Sequence, residues 1–206
     1  MLPVHSTVIC LRKLAICAAI LAPAVPAGAD MAVALEACLN TDLTIPERAE
    51  TLRDAGWNVS ENKGLMDASL VHGVLFGSLD GLAPKTWGET QSWAADVAIG
   101  LRRKKGYDKV VFLLDADRSA SLTLEPNRSA LATCLYTGDE GDLGPVLSRL
   151  DGAIPRTFGP FQAVRGEARK SIVLAYAISP DHAGDFPKPL TYTATFTVVL
   201  DRSEGS

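Results

Sequence analysis

The most regular pattern in the chain is an alternation of apolar and polar residues near its C-terminus. From Leu190 to Leu200 every even-numbered position is apolar, and positions 191, 193, 195 and 197 are all threonine. Because successive side chains of a strand point to opposite faces of a sheet, this pattern predicts a strand with one buried face. We expect the threonine face to be solvated, as is common on one side of an antiparallel sheet.

Four further segments are predicted to be strands. Lys109–Leu114 contains a continuous apolar run, which favours a strand that is buried on both sides. Ser119–Glu125 and Lys170–Ile178 alternate in polarity. Ser129–Tyr136 follows a turn that is predicted at Glu125–Arg128.

Helix signals are concentrated in the first half of the chain. Asp30–Leu39 predicts a first helix. Thr44-Ile45-Pro46-Glu47 is a capping-box sequence with a proline in the first turn, and it predicts a second helix that ends at Gly56. A short later helix is predicted from Asp142 to Leu150, with Asp142 as its N-cap.

A third helix is predicted to begin near Glu89. Trp93, Val97 and Leu101 recur every four residues, which places them on one face and predicts Trp93 as a core residue. Arg102–Lys105 fill the last turn, where cations interact favourably with the helix dipole.

The order of these elements favours an α+β fold. Residues 58–88 remain undecided, because the short apolar run at 70–76 fits either a strand or a buried helix. We expect N-terminal helices packed on a mainly antiparallel sheet of about five strands, with one inserted helix. The predicted order is α-α-α-β-β-β-α-β-β.

The first 29 residues have the pattern of a secretory signal peptide. Arg12 and Lys13 precede the apolar segment Leu14–Ala22, and Ala27-Gly28-Ala29 fits the small-residue cleavage pattern. We expect cleavage before Asp30, with cleavage after Ala27 as the alternative. The mature chain would then be a single domain, residues 30–206, in the periplasm or secreted. Its apolar runs are too short for a membrane-spanning segment of about 18 residues.

Loss of this leader leaves two cysteines, Cys38 and Cys134. In an oxidising compartment two cysteines most simply form one disulfide. Closing a loop of about 95 residues would stabilise the fold by roughly 4–5 kcal/mol in the chain-entropy model. A reactive thiol pair is the alternative, but the two residues do not have C-x-x-C spacing.

The charge balance excludes one class of partner. The chain has 20 Lys and Arg against 24 Asp and Glu, whereas a general nucleic-acid binder is normally basic. We therefore expect no nucleic-acid partner. Arg102, Arg103, Lys104 and Lys105 form the strongest local basic run and are a candidate contact for an anionic partner. A solvated helix end is the simpler interpretation.

Three residues are candidates for catalysis. Asp115 and Asp117 follow an apolar strand at a spacing of two, which would let both carboxylates share a proton or hold a metal ion. An ordinary turn, with Arg118 as an ion-pair partner, is the preferred interpretation. His182, with Asp181 and Asp185 nearby, is a candidate metal ligand or base, but the prolines and glycine around it favour an ordinary long hairpin loop. The acidic segment 138–142 is too short for a calcium loop, and His72 is expected in the core or at its edge.

The sequence contains no nucleophile elbow, phosphate-binding loop, dinucleotide-binding glycine pattern or H-E-x-x-H motif. We therefore expect a non-enzymatic binding or accessory module without a cofactor or a metal, whose partner is a small molecule or an envelope protein. Two alternatives stay open. One is a metal-dependent or carboxylate-based hydrolase that uses Asp115, Asp117 or His182. The other is an envelope interaction protein that uses the basic run at 102–105.

Overall fold

The computed structural model describes residues 31–78, 87–126, 130–139, 143–178 and 193–201. Within these ranges the helices are α1 (Met31–Leu39), α2 (Ile45–Asp54), α3 (Lys63–Ser78), α4 (Trp87–Lys105) and α5 (Gly144–Leu147). The strands are β1 (Asn58–Val59), β2 (Val111–Leu114), β3 (Ala120–Glu125), β4 (Ala130–Gly138), β5 (Arg156–Phe158), β6 (Phe161–Ala168), β7 (Ser171–Ile178) and β8 (Ala194–Asp201). The predicted leader and cleavage site lie outside the described residues.

All eight strands form one antiparallel sheet in the order β1-β2-β3-β4-β8-β7-β6-β5. The mixture of helices and antiparallel sheet confirms the coarse fold prediction. The expected five strands and the expected element order are wrong. The sequence patterns do not predict β5 and β6, because charged residues interrupt the apolar alternation there; Gly159, with a φ of 56°, lies in the turn between these strands. Strand β1, which separates α2 from α3, is not predicted either.

The second helix begins where its capping sequence predicts. The Thr44 backbone N–H donates to Glu47 Oε2 at 2.8 Å, and the Glu47 N–H donates to Thr44 Oγ1 at 3.5 Å. Pro46 occupies the first turn, where a missing N–H leaves no partner unsatisfied. Gly56, with a φ of 96°, ends the segment.

One face of the sheet, here called the disulfide face, packs against α1, α2 and α5. Its core is apolar, and the Tyr136 and Phe196 rings stack with their centroids 4.8 Å apart. Cys38 of α1 is bonded to Cys134 of β4, with 6.0 Å between their Cα atoms, which confirms the predicted disulfide. Both cysteines are fully buried. The bond therefore ties the first helix to a central strand.

The opposite face, here called the hydroxyl face, buries Ser121, Thr137 and Thr195 and is covered by α3. Helix α4 packs mainly against α3 and reaches β3 through the contact of Arg102 with Glu125. Thr195 is only 2% exposed, so the prediction of a solvated threonine face is wrong there. The reason is that residues 63–78, left undecided by sequence, form a helix that packs across β4 and β8. A Cβ atom at Gly73 would lie 2.7 Å from Leu135 Cδ1, so a larger residue there would require the Leu135 side chain to move.

Helix α4 is rotated relative to its predicted orientation. Its buried residues include Thr90, Ala94, Ala98 and Arg102, whereas Trp93 is 42% exposed, so the assignment of Trp93 to the core is wrong. The small residues Ala94 and Ala98 lie on the buried face of α4. Trp93 is adjacent to Ala94 in sequence, so its side chain points about 100° away around the helix and lies largely in solvent.

The inserted helix α5 is shorter than predicted. It spans Gly144–Leu147, and its N-cap is Leu143, which makes no side-chain cap hydrogen bond. Leu143 is fully buried, so apolar packing fixes this end of the helix. The predicted cap, Asp142, lies outside the described residues. Among the helices that the structure describes, none has the length and apolar character needed to cross a bilayer.

Candidate functional site

Two surface clefts beside α1 share one group of charged residues. Glu36 of α1, Arg149 just after α5 and Arg169 in the β6–β7 turn form this group, here called the Glu36 cluster. Arg149 Nε lies 2.5 Å from Glu36 Oε1, and Arg169 Nη2 lies 3.1 Å from Glu36 Oε2. All three residues line both clefts. Three distant segments therefore converge on one carboxylate.

The clefts differ in size and in charge. The larger, of about 480 Å³, is lined by the Glu36 cluster and otherwise by uncharged residues, including Ala32, Val33, Ala37, Asn40, Leu43 and Thr51. The smaller, of about 300 Å³, adds Asp151 and Glu167. The larger cleft is therefore the one in which positive charge exceeds negative charge.

The arginines retain capacity for a ligand. The Arg149 and Arg169 side chains are 43% and 57% exposed, and the Glu36 side chain is 34% exposed. A guanidinium carries five N–H donors, so one carboxylate oxygen cannot occupy them all. Part of each guanidinium therefore remains accessible to further hydrogen-bond acceptors.

Arg169 occupies a position that disfavours its residue type. Arg169 and Lys170 have φ angles of 48° and 64° in the turn between β6 and β7. Two-residue hairpin turns of this kind favour Asn-Gly, and the left-handed conformation costs other residues roughly 1–2 kcal/mol each. The fold thus places a guanidinium beside Glu36 despite a local conformational cost.

The structure brings Asp115 and Asp117 together in the β2–β3 turn. Ser119 Oγ donates to Asp115 Oδ2 at 2.5 Å, and the Ser119 N–H donates to Asp117 Oδ1 at 3.0 Å. Asp115 is only 3% exposed, and its Oδ1 atom is buried without a hydrogen-bond partner. Arg118 has a φ of 66°, and no ion pair joins it to either of these two described aspartates, in contrast to the sequence expectation.

The two carboxyl groups affect each other's protonation. Burial raises the pKa of Asp115, and its interaction with Asp117 raises that pKa further. The contact with Asp115, followed by the hydrogen bonds from Ser119, lowers the pKa of Asp117 to about 2. Opposite displacements of this kind are expected when two carboxyl groups hold one proton between them.

The basic run at the end of α4 does not form one continuous patch. Arg102 is 5% exposed and its Nη1 donates to Glu125 Oε1 at 3.0 Å. Lys105 Nζ donates to the other oxygen, Oε2, at 3.0 Å. Arg103 and Lys104, the other two residues of the run, are exposed and do not pair with Glu125. Two of the four residues that were predicted to contact an anionic partner therefore bind Glu125 of the same chain.

Of the two histidines discussed above, the structure describes only His72, and His72 lines neither cleft. His72 lies on α3, where its Nδ1 is 2.8 Å from the Ala68 carbonyl oxygen, and burial lowers its pKa. His182 lies outside the described residues. Within the parts of the chain that the structure describes, no three or more His, Cys, Asp or Glu residues are grouped as metal ligands.

The sequence alone does not predict the Glu36 cluster. Glu36, Arg149 and Arg169 belong to no motif and lie on three elements that only the tertiary fold brings together. One local signal exists, because Arg169 and Lys170 are unusual residues for a two-residue hairpin turn. These two residues can be assigned to a hairpin turn only if β6 is first predicted to be a strand.

Comparisons with known proteins were negative at every level. No protein-family model, no curated protein and no solved structure matches the chain. A functional proposal therefore rests on the chemistry of the residues described above.

Proposed function

We propose that the protein is an exported, non-enzymatic binding module that holds a small organic anion in the larger cleft. The observation that carries this proposal is the position of Arg149 and Arg169 in a cleft whose remaining lining is uncharged. Neither Asp115 nor Asp117 lines either cleft, which favours binding over carboxylate-based hydrolysis.

The lining of the cleft indicates the class of ligand. Two guanidinium groups recognise a carboxylate or a phosphate through charge-assisted hydrogen bonds. Ala32, Val33 and Leu43 offer apolar contact to the rest of the ligand. A volume of about 480 Å³ lies in the range of small-molecule sites. An aliphatic chain with one anionic head group fits these features.

Glu36 would act as an internal competitor for the ligand's head group. Its two oxygens engage one arginine each, so it holds both guanidinium groups near the cleft in the absence of ligand. An incoming anion must share or replace these contacts. The affinity for an anion should accordingly rise when the negative charge of Glu36 is removed.

Export is supported by two independent features. The N-terminal residues have the signal-peptide pattern, and Cys38 and Cys134 are bonded in the interior. Structural disulfides persist mainly in oxidising compartments. A periplasmic or secreted protein would meet its ligand outside the cytosol.

Octanoate is a suitable probe, because it combines a carboxylate with an aliphatic chain. Isothermal titration calorimetry should detect binding to the wild-type protein. Arg149→Gln and Arg169→Gln should each weaken binding about tenfold, the equivalent of about 1.4 kcal/mol, because each removes one charged donor. Glu36→Gln should tighten binding.

The matched control is Arg156→Gln, which changes an exposed arginine outside both clefts. Its affinity for octanoate should equal that of the wild type. Absence of octanoate binding in both the wild type and Glu36→Gln at millimolar concentration would refute the proposal. Equal weakening by the control would show that binding depends only on overall charge.

A further inference from the structure

An anionic ligand would rearrange the ion pairs of the Glu36 cluster. Glu36 Oε1 pairs with Arg149 and Glu36 Oε2 pairs with Arg169, so a ligand carboxylate that takes both arginines separates Glu36 from them. The Glu36 side chain is only 34% exposed, and water therefore solvates its charge only in part. A partly buried carboxylate that loses its cationic partners is unfavourable. A ligand that also carries a cationic group would avoid this cost.

The clefts on the two sides of the cluster differ in the sign of their excess charge. In the larger cleft two arginines accompany one acid, Glu36, and the remaining lining is uncharged. In the smaller cleft Asp151 and Glu167 are added, so three acids accompany the same two arginines. Within the described parts of the chain, neither Asp151 nor Glu167 forms an ion pair. The larger cleft therefore favours an anionic group, and the smaller cleft favours a cationic group.

A buried hydroxyl group lies beside the smaller cleft. Ser171 is fully buried, and its Oγ atom has no hydrogen-bond partner among the described residues. Ser171 is paired with Ala168 across β6 and β7, so the two side chains lie on the same side of the sheet, and Ala168 lines the smaller cleft. Buried polar atoms without partners are rare in folded proteins. A hydrogen-bond donor in the smaller cleft can supply the missing partner, directly or through a water molecule.

We infer that the ligand is an aliphatic α-amino acid in its zwitterionic form, a refinement that rests on the function proposed above. The aliphatic side chain lies in the larger cleft, and the carboxylate binds Arg149 and Arg169. The ammonium group points into the smaller cleft and binds Glu36, which lines both clefts. In an α-amino acid one carbon atom carries both charged groups, so a single cluster of ion pairs can bind the two together.

This arrangement gives every charged group of the cluster a partner. Octanoate adds a carboxylate and offers nothing to Glu36, whereas an amino acid adds one charged group of each sign. Hydrogen bonds between an ammonium group and a carboxylate are stronger than those between neutral groups. Glu36 therefore competes with octanoate for the arginines, but it binds the ammonium group of an amino acid. Asp151 and Glu167 attract the same ammonium group from the far side of the smaller cleft.

The test compares octanoate with L-2-aminooctanoate, which has the same carbon chain and one additional ammonium group. Isothermal titration calorimetry of the full chain at neutral pH would measure both affinities. The wild type should bind L-2-aminooctanoate about tenfold more tightly than octanoate, because Glu36 then has a charged partner in the complex. Octylamine, which lacks the carboxylate, should bind more weakly than L-2-aminooctanoate.

Glu36→Gln should affect the two ligands in opposite directions. It should tighten the binding of octanoate and weaken that of L-2-aminooctanoate about tenfold, because the ammonium group loses its partner. Asp151→Asn, at an exposed position that lines only the smaller cleft, should weaken only L-2-aminooctanoate, by about twofold. The matched control is Glu50→Gln, which changes an exposed acid of α2 outside both clefts and should alter neither affinity. Circular dichroism would verify that each variant is folded.

Three results would contradict the amino-acid assignment. If the wild type binds octanoate at least as tightly as L-2-aminooctanoate, the assignment is wrong, and the anion site proposed above remains. If Glu36→Gln changes both affinities in the same direction, the ammonium group does not bind Glu36, and the assignment is again wrong. If neither ligand binds to the wild type or to Glu36→Gln at millimolar concentration, the assignment and the proposed function both fail.

Discussion

The two faces of the sheet are built from the same eight strands but differ in how many polar side chains they bury. The disulfide face is almost wholly apolar, and a covalent bond joins Cys38 to Cys134 within it. The hydroxyl face buries Ser121, Thr137 and Thr195, and at its margin Glu125 receives Arg102. Apolar packing has no directional requirement, whereas each buried polar group must find a partner in one geometry. The hydroxyl face also contains two apolar clusters, one around Phe76 and one around Phe112. Both faces therefore contribute apolar burial, and the second adds polar partners that restrict how α3 can pack.

The largest expected effect concerns the disulfide face. Replacing Cys38 and Cys134 together by serine should lower the free energy of unfolding by about 4–5 kcal/mol, because the crosslink restricts the unfolded chain. Urea denaturation followed by tryptophan fluorescence would measure the change, since Trp57 is buried against Tyr136. A loss below about 1 kcal/mol would show that packing on this face is sufficient without the bond.

The next effect concerns the ion pair of the hydroxyl face. Glu125→Leu should destabilise the fold by about 3 kcal/mol, because it leaves the charge of Arg102 buried without its main partner. The double variant Arg102→Met, Glu125→Leu should lose much less than the sum of the single variants. Lys104→Ala, at an exposed position of the same helix, is the control and should change stability by less than about 0.5 kcal/mol.

An additive result in this cycle would mean that Arg102 and Glu125 contribute independently. The stability of the hydroxyl face would then not depend on matched polar partners, and in this respect it would not differ from the disulfide face. Chemical denaturation of the four proteins at one pH gives the coupling free energy directly.

The sequence predicts the apolar disulfide face better than it predicts the hydroxyl face. Leu122, Phe196 and Val198 alternate with polar residues, so a period of two identifies the disulfide face without any structure. Thr195 and Ser121 belong to the same alternating patterns, on the other face. A short hydroxyl side chain can lie either in water or in the interior beside a hydrogen-bond partner, so the pattern does not show which. Only the helix at residues 63–78 decides between these environments, and its apolar run does not determine a helix by itself.

The sequence does not predict which charged residues contact one another, and the reason is geometric. Residues 102–105 are consecutive, so their side chains point in directions about 100° apart around the helix and cannot form a single patch. Position 102 faces Glu125, while position 103 faces solvent. Glu36 and Arg169 approach each other only after α1 and the β6–β7 turn are placed by the core. Composition and motifs carry no information about such distant pairs.

The smallest expected effect tests whether the hydroxyl face depends on matching. Ser69 Oγ, Ser121 Oγ and Thr137 Oγ1 lie 2.7–3.2 Å from one another and are fully buried. Thr137→Val should cost about 1–2 kcal/mol, because it leaves the two serine hydroxyls one partner short. Adding Ser69→Ala and Ser121→Ala should recover part of that loss, since no unmatched hydroxyl then remains. Thr197→Val, at a half-buried position of the same face, is the control for added apolar volume. Thermal and urea denaturation would measure each change. If the triple variant loses as much free energy of unfolding as the three single variants combined, each hydroxyl stabilises the fold independently. In that case stability on this face does not depend on whether each hydroxyl has a partner.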